Sequence, residues 1–133
     1  MKVIIVDDHP VVIKGITSIL STNGESIKEI KEALNIQEAM TILIREEVEI
    51  AIIDLKLNKE NGLDIVTRSK EMNIRTKFII LTEFMSKENF ERAEQLGVDG
   101  YILKEAFVED ILYAINIIIH SLLLNNYLSI TNK

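Results

Sequence analysis

Five polar side chains stand directly after short apolar runs of this sequence, and their types are those that bind cations and transfer charged groups. Asp7 and Asp8 follow the first run, Asp54 the third, Thr82 the fourth and Lys104 the fifth. In an open sheet of parallel strands, ligands bind beyond the carboxyl ends of the strands. The sequence therefore predicts that three carboxylates, a hydroxyl and an ammonium converge at one end of such a sheet.

The three carboxylates predict a site for a hard divalent cation. When carboxylates are held close together they raise one another's pKa values, and a cation with oxygen ligands relieves their repulsion. Mg²⁺, or Mn²⁺ in its place, suits a small carboxylate cluster in which the ion keeps some of its water. Zinc is a poorer candidate, because the chain has no cysteine and we expect His9 to point off the start of a helix.

A carboxylate beside such a cation and a lysine can attack phosphorus. The metal and the Lys104 ammonium would spread the charge of the transferring group, while the protein supplies position. We therefore predict an acyl phosphate on an aspartate. Thr82 would then donate a hydrogen bond to a phosphoryl oxygen. That contact exists only in the modified chain, so it can bias a conformational equilibrium, and the helix after Thr82 is the element predicted to move.

Each of these residues, taken alone, also has a structural interpretation. The two adjacent carboxylates after the first run could cap the helix that follows them. Asp54 could be a turn residue, Thr82 a structural hydroxyl, and Lys104 a solvated surface charge. Their joint occurrence at four strand ends favours one shared site.

Five apolar runs alternate with five helical patterns along the chain, which predicts a (βα)5 fold of the α/β class. Four runs are apolar at nearly every position, as expected of strands covered on both faces, whereas the second alternates like an edge strand. Such alternation implies a parallel sheet with helices on both faces. The runs lie at residues 3–6, 27–30, 50–53, 78–81 and 101–103.

Capping residues and apolar stripes predict the helices. The first begins at Pro10, which suits a first helical position, and Asn35 with Glu38 forms a capping arrangement for the second. The fourth covers residues 86–96 and stops at Gly97, and its thin stripe predicts loose packing. The predicted stripes are Val12, Ile16, Ile19 and Leu20; Ile36, Ala39, Met40, Leu43 and Ile44; Leu63 and Val66; Phe90 and Ala93; and Val108, Ile111, Leu112, Ile115, Ile118, Ile119 and Leu122.

The composition is that of one globular domain. The absence of cysteine excludes disulfides and fits a reducing cytosol, so we expect a cytoplasmic protein. A net charge of −6 without a Lys/Arg cluster argues against direct DNA binding by these residues. The most apolar stretch, residues 111–124, is interrupted by polar side chains and is shorter than the roughly 20 residues that a spanning helix needs, so no membrane association is expected.

Taken together, the order and spacing of these residues resemble the CheY-like receiver domains of bacterial two-component response regulators. The resemblance covers residues 2–120 and implies a flavodoxin-like three-layer sandwich with a parallel five-stranded sheet of order 2-1-3-4-5. The segments that carry it are VIIVDDHP at residues 3–10, IIDLKL at 52–57, GL at 62–63, IILT at 79–82 and GVDGYILKE at 97–105.

Asp-Asp-His-Pro and Gly-Tyr-Ile-Leu-Lys-Glu are most similar to the NarL/FixJ subfamily, whose members usually carry a LuxR-type helix-turn-helix domain and regulate transcription. The resemblance implies a receiver domain over residues 1–122. Residues 123–133 would be a tail or linker toward a C-terminal helix-turn-helix domain that this chain does not contain. DNA would be bound only through that domain.

The resemblance also implies a role for each matching site residue. Asp54 would be the phosphoacceptor, and Lys104 would bind the phosphoryl group. Asp8, Asp54 and the backbone carbonyl of Lys56 would ligate Mg²⁺ or Mn²⁺ directly, while Asp7 would help through water.

A switch and partners are implied in the same way. Thr82 and Tyr101 would form a switch pair, in which Tyr101 turns inward as Thr82 moves. A sensor histidine kinase would be the phosphodonor. The chain would be a signalling domain, not an enzyme, that catalyses its own phosphorylation and dephosphorylation. The surplus apolar residues of the fifth helix predict a homodimer.

Two alternatives stay open. Glu83 stands where the family usually has a small residue, which favours a receiver-like interaction module that signals without phosphorylation. A haloacid-dehalogenase-type phosphatase also uses an aspartate at a strand end. That family needs a second aspartate two residues later, and this chain has Lys56 there.

Overall fold

The fold consists of a parallel sheet with helices packed on both of its faces. The computed structural model describes residues 1–23, 27–104, 113–118 and 120–121. Residues 113–118 are helical. The other elements are β1 (Lys2–Val6), α1 (Pro10–Asn23), β2 (Glu29–Ala33), α2 (Ile36–Arg45), β3 (Ile50–Asp54), β4 (Lys56–Leu57), β5 (Glu60–Asn61), α3 (Leu63–Glu71), β6 (Lys77–Thr82), α4 (Lys87–Leu96) and β7 (Gly100–Leu103).

The strand order of the main sheet is β2-β1-β3-β6-β7, and every neighbouring pair is parallel. The short strands β4 and β5 form a separate antiparallel hairpin between β3 and α3. With that hairpin left out of the count, the order is 2-1-3-4-5, so the predicted topology is confirmed.

Two hydrophobic clusters lie on opposite faces of the sheet, because successive side chains of a strand point to opposite sides. In β1, Ile4 and Val6 join one cluster, while Val3 and Ile5 join the other. The first cluster is completed by residues of α2, α3 and α4, and the second by residues of α1 and the helical segment 113–118. The central strands are therefore covered on both faces, as their apolar runs predict.

The predicted helix ends agree with the structure. Asn35 Oδ1 accepts a hydrogen bond of 2.8 Å from the backbone N–H of Glu38 at the start of α2. Ser86 caps α4, and Gly97 ends it with a left-handed φ of 71°. α1 begins at Pro10. Local side-chain chemistry thus sets where these helices begin and end.

Four details differ from the prediction. β2 begins at Glu29, not at residue 27, and continues to Ala33, because β1 pairs with those five residues. Ile44 is 56% exposed, since the four other members of the α2 stripe already cover the face toward the core. Ile13, which the predicted stripe of α1 omits, is buried. Moreover, β7 is only partly buried at every residue, because it is the outer strand of the sheet.

Among α1 to α4, α4 has the fewest buried residues, as its thin stripe predicts. Ala93 is its one buried residue, and Phe90 is 41% exposed. Of the predicted stripe of the fifth helix, Ile115 is buried and Ile118 packs against the second cluster. Its other members and the predicted tail at residues 123–133 lie outside the described residues. Among the described helices, none has both the length and the apolar character needed to span a membrane.

Candidate functional site

The carboxyl ends of the central strands bring two buried carboxylates against a lysine. The Nζ atom of Lys104 lies 2.9 Å from Oδ2 of Asp54 and 3.0 Å from Oδ2 of Asp7. Asp7 and Asp54 are 1% and 5% exposed. Lys104 reaches them because its backbone N–H is bound at 2.7 Å to the carbonyl of Thr82, at the end of the neighbouring strand.

The strand register explains this arrangement. Val6 pairs with Ile53, so the next residue of each chain segment, Asp7 and Asp54, lies at the same level of the sheet. Residues at equal levels of adjacent parallel strands are neighbours. The convergence of these strand-end groups, predicted from the sequence, is therefore present in the structure.

Asp8 extends the cluster toward the surface. Its Oδ2 atom accepts a hydrogen bond of 2.9 Å from the backbone N–H of Asn58, in the turn between β4 and β5. Asn58 has a φ of 57°, a left-handed conformation that asparagine tolerates better than most residues. This contact was not predicted, since nothing local in the sequence relates two residues so far apart.

His9 belongs to the same cluster. Its Nδ1 atom lies 3.0 Å from Oδ1 of Asp8 and 3.2 Å from Oδ1 of Asp7, and its backbone N–H donates to Asp7 at 2.9 Å. The expectation that His9 points off the helix start is therefore wrong. The turn that delivers its N–H to Asp7 also carries the ring over both carboxylates.

The charges of the site are unbalanced. Burial raises the pKa of Asp54 above its ordinary value and repulsion by Asp7 adds to this, although the hydrogen bond from Lys104 acts in the opposite direction. Burial acts to lower the pKa of Lys104, but its hydrogen bonds to Asp54 and Asp7 outweigh that effect and raise it. Three carboxylates thus share one lysine, so the formal charges of Asp7, Asp8, Asp54 and Lys104 leave two negative charges unbalanced.

The donor set fits a divalent cation. One ligand atom from each of Asp7, Asp8, His9 and Asp54 can be chosen so that all lie within 4.8 Å of one another. Oδ1 of Asp8 is buried and has no hydrogen-bond partner in the described part of the chain, apart from its ion pair with the His9 ring. Carboxylate oxygens are the ligands that Mg²⁺ prefers.

The cluster opens into a cleft with a volume of about 680 Å³. Besides Asp8 and Asp54, its walls include Thr82, Glu83 and Phe84. Glu83 therefore stands at the cleft, next to Thr82. The 76% exposed ring of Phe84 stands at the same wall.

Thr82 and Tyr101 lie close together but are not joined by a hydrogen bond. The Thr82 hydroxyl donates to the carbonyl of Phe84 at 2.8 Å and accepts from its N–H at 3.3 Å, so it is engaged in its own turn. The Tyr101 hydroxyl is buried without a partner among the described residues. Burial raises the pKa of the Tyr101 hydroxyl, whereas the nearby Thr82 hydroxyl acts to lower it. The ring of Tyr101 packs edge-on against the ring of Phe90, with 5.5 Å between the ring centroids.

The segment after Asp54 folds tightly against that residue. The backbone N–H of Lys56 lies 3.3 Å from Oδ1 of Asp54, and Lys56 lines the cleft. Gly62 donates its N–H to the carbonyl of Leu55 at 2.6 Å. A Cβ atom at Gly62 would collide with the backbone oxygen of Asp54 and lie 2.8 Å from the Ile53 side chain. Glycine, which has no Cβ, is the residue that permits such a close approach of two backbone segments.

Comparison with protein families and curated proteins gives consistent matches. Residues 3–116 match the response regulator receiver domain. The chain is 34% identical over 115 residues to the response regulator protein VraR of Staphylococcus epidermidis, covering 86% of this chain and 54% of that protein. It is 30% identical over 115 residues to the uncharacterized transcriptional regulatory protein YvfU of Bacillus subtilis, covering 86% and 57%. The chain thus spans about half the length of the curated relatives it matches.

Solved structures with the same architecture include a CheY-like response regulator receiver domain protein from Methanospirillum hungatei JF-1. It has a TM-score of 0.77 and 26% identity and covers 86% of this chain and 90% of that chain. A DNA-binding response regulator of the LuxR family from Staphylococcus aureus has a TM-score of 0.78 and 24% identity, with 86% and 95% coverage. The second likeness concerns the fold alone.

Proposed function

Since the chain belongs to the response regulator receiver domain family of two-component systems, we propose that Asp54 accepts a phosphoryl group in a cation-dependent reaction. The observation that carries the proposal is the contact of the Lys104 ammonium with both Asp54 and Asp7, beside a cleft that Asp54 lines. A buried carboxylate is normally inert, but this one has a cationic neighbour and access to solvent.

The residues at the strand ends would hold the cation. Asp8 and Asp54 would ligate Mg²⁺, or Mn²⁺, together with the backbone carbonyl of Lys56, and Asp7 would act through water. When bound, the ion neutralises the surplus negative charge and withdraws charge from phosphoryl oxygens. Lys104 and the N–H of Lys56 orient the Asp54 carboxylate from two sides.

The phosphodonor would be a phosphohistidine of a sensor histidine kinase. A carboxylate oxygen of Asp54 attacks the phosphorus, a phosphorus–oxygen bond forms, and the imidazole leaves with the electrons of the broken phosphorus–nitrogen bond. Lys104 stabilises the charge on the transferred group. The chain would catalyse both this transfer and the later hydrolysis of the acyl phosphate, as a signalling domain and not as an enzyme with a separate substrate.

The switch would begin at Thr82. Its hydroxyl is held by Phe84 in the described state, and a phosphoryl oxygen on Asp54 would compete for that hydrogen bond. Withdrawal of Thr82 from the Phe84 turn would move the segment that leads into α4. Tyr101, whose buried hydroxyl lacks a partner among the described residues, would follow Thr82 inward.

The output would be self-association and transcription regulation. Tyr113 and Ile117 are 69% and 50% exposed on the helical segment 113–118, and this apolar surface is proposed to form a homodimer. Residues 1–122 would be the receiver domain, and residues 123–133 would lead to a LuxR-type DNA-binding domain. The measurement is light scattering with and without a phosphate mimic, and a monomeric mass in both conditions would contradict the dimer.

The phosphoacceptor is tested by intact mass spectrometry after incubation with a small-molecule phosphodonor and Mg²⁺. We expect the mass of one added phosphoryl group on the wild-type chain and none on Asp54→Asn. Omission of Mg²⁺ should abolish the adduct. A wild-type chain that stays unmodified, or an Asp54→Asn chain that is modified equally, would contradict the proposal.

A second candidate function is a receiver-like interaction module that signals without phosphorylation. The exposed carboxylate of Glu83 at the cleft wall favours it, because a fixed negative charge there repels a phosphoryl group. The same experiment separates the two functions. If the wild-type chain stays unmodified and Glu83→Ala restores the adduct, the interaction module is the better description.

A further inference from the structure

One hydrogen bond between two asparagine side chains joins the two walls of the cleft. Nδ2 of Asn61 donates to Oδ1 of Asn89 at 3.2 Å. Asn61 is the last residue of β5, and Asn89 lies in the first turn of α4. Both residues line the cleft that contains Asp54.

The orientation of both amides follows from their other contacts. Oδ1 of Asn61 accepts the backbone N–H of Leu63 at 2.9 Å, so Nδ2 of Asn61 is the group that faces Asn89. Asn89 must therefore direct its Oδ1 atom, the acceptor, toward Nδ2 of Asn61. The backbone N–H of Asn89 meets Oγ of the capping Ser86 at 3.4 Å, which holds the residue in the first turn of its helix.

On one side of this bond stands the hairpin that touches the proposed cation ligands. Asn61 pairs directly with Lys56 across the hairpin. The N–H of Lys56 meets Oδ1 of Asp54 at 3.3 Å, and the N–H of Asn58 donates to Oδ2 of Asp8 at 2.9 Å. A cation that draws these two carboxylates toward itself therefore also acts on the hairpin, because the N–H groups of Lys56 and Asn58 are bound to the same carboxylates.

On the other side stands α4, which the core holds weakly because Ala93 is its one buried residue. Polar contacts with α3 hold the middle of α4, where Arg92 lies 2.7 Å from Asp64 and 3.2 Å from Thr67. The beginning of α4 is instead tied to the hairpin, through Asn89. Movement of the hairpin can therefore displace the first turn of α4 through the hydrogen bond between Asn61 and Asn89.

We propose that Asn89 is a positioning residue that couples the cation-binding hairpin to α4 through Asn61, a role that rests on the proposed function. Occupation of the cation site shifts α4 before any phosphoryl group is present. Because coupling between two sites is reciprocal, the position of α4 also changes the affinity of the site for the cation.

Two variants that change the charge equally have opposite effects on the bond between Asn61 and Asn89: one breaks it and the other preserves it. Asn61→Asp keeps the oxygen that accepts from Leu63 but replaces the donor Nδ2 with a second oxygen, so the bond to Asn89 is lost. Asn89→Asp keeps an oxygen that accepts from Asn61, so the bond is retained. Each variant converts one amide into one carboxylate. Asn89→Ala removes the acceptor from the α4 side and serves as a second disruption if Asn61→Asp fails to fold.

The measurement is an NMR titration of the full chain with Mg²⁺, which follows backbone amide signals of the hairpin and of α4 at saturation. In the wild-type chain and in Asn89→Asp we expect both sets of signals to shift. In Asn61→Asp and Asn89→Ala we expect the hairpin signals to shift as in the wild-type chain, while the α4 signals shift about fivefold less than in the wild-type chain. A factor of about five is the change in an equilibrium constant that the loss of one hydrogen bond produces.

Arg92→Ala is the control for general loosening, because it releases α4 from α3 without touching the hairpin. Its α4 signals should still respond to Mg²⁺. The coupling is overturned if α4 responds fully in Asn61→Asp and Asn89→Ala, or if Arg92→Ala loses the response equally. A wild-type hairpin that does not respond to Mg²⁺ at all would overturn the cation site itself, and the coupling with it.

Discussion

Gly62 lies against the backbone carbonyl of Asp54 so closely that no β-carbon fits between them. The start of α3 is thereby packed directly behind the proposed phosphoacceptor. We expect Gly62→Ala to destabilise the fold by about 1–3 kcal/mol, the usual effect of overpacking a filled site. Urea denaturation measures this change, and an unchanged midpoint would contradict the close approach.

Gly15 should behave in the opposite way. It lies in the interior of α1, is exposed, and a Cβ atom there would meet no atom within 4 Å. Gly15→Ala should therefore raise the free energy of unfolding by about 0.5–1 kcal/mol, because glycine loses more backbone entropy in a helix than alanine does. The same denaturation experiment tests it, and a lower midpoint would count against the free space at this position.

Asp54 should reduce the stability of the cation-free chain at neutral pH. Its pKa is raised in the fold, so the folded state binds more protons than the unfolded state between the ordinary aspartate pKa of about 3.9 and the raised value. Its contribution to stability is therefore largest below pH 3.9 and is lost as the pH rises through the raised pKa.

Asp54→Asn removes the ionisable group and with it the loss of stability that occurs when the buried Asp54 carboxyl ionises. In a chelating buffer at pH 7 we expect the variant to melt above the wild-type chain, and we expect the difference to vanish in acid. Asp99→Asn provides a control substitution away from the site, because asparagine keeps an oxygen that can accept the N–H of Phe78 as Asp99 does at 2.9 Å. A variant that melts below the wild-type chain at pH 7 would show that the Lys104 contact outweighs the cost of burying Asp54.

Lys104→Met should destabilise the chain across the neutral range. The substitution leaves the buried carboxylates of Asp7 and Asp54 without their shared cation, and we expect a loss of about 1–3 kcal/mol. The pKa of Lys104 is raised in the fold, so its contribution is complete below the ordinary lysine pKa of about 10.4 and is lost only as the pH rises through the raised value. Stability curves of the two chains should therefore converge at strongly alkaline pH.

Removal of the divalent cation should lower the melting temperature of the wild-type chain. A ligand that binds only the folded state stabilises it by about 2.7 kcal/mol at a concentration of 100 times its dissociation constant. Asp8→Asn should lose most of this dependence, whereas Glu29→Gln, on the exposed edge strand β2, should keep it. Equal responses of the two variants to Mg²⁺ would place the cation elsewhere.

Much of the fold was predictable from the sequence because the signals are local. Apolar runs of strand length, the capping pair Asn35–Glu38 and the stop at Gly97 each depend on neighbours along the chain. The meeting of Asp7, Asp54 and Lys104 was predictable as well, since parallel strands of one sheet present their carboxyl ends at one edge.

Other features were decided only by tertiary structure. The turn of His9 over two carboxylates and the contact of Asn58 with Asp8 depend on loop conformations that no periodic pattern encodes. The bond between Asn61 and Asn89 requires α4 to stand at a particular distance from a hairpin. Strand positions follow from repeating local patterns, whereas these contacts join segments whose separation is set by the packing of the whole sheet and its helices.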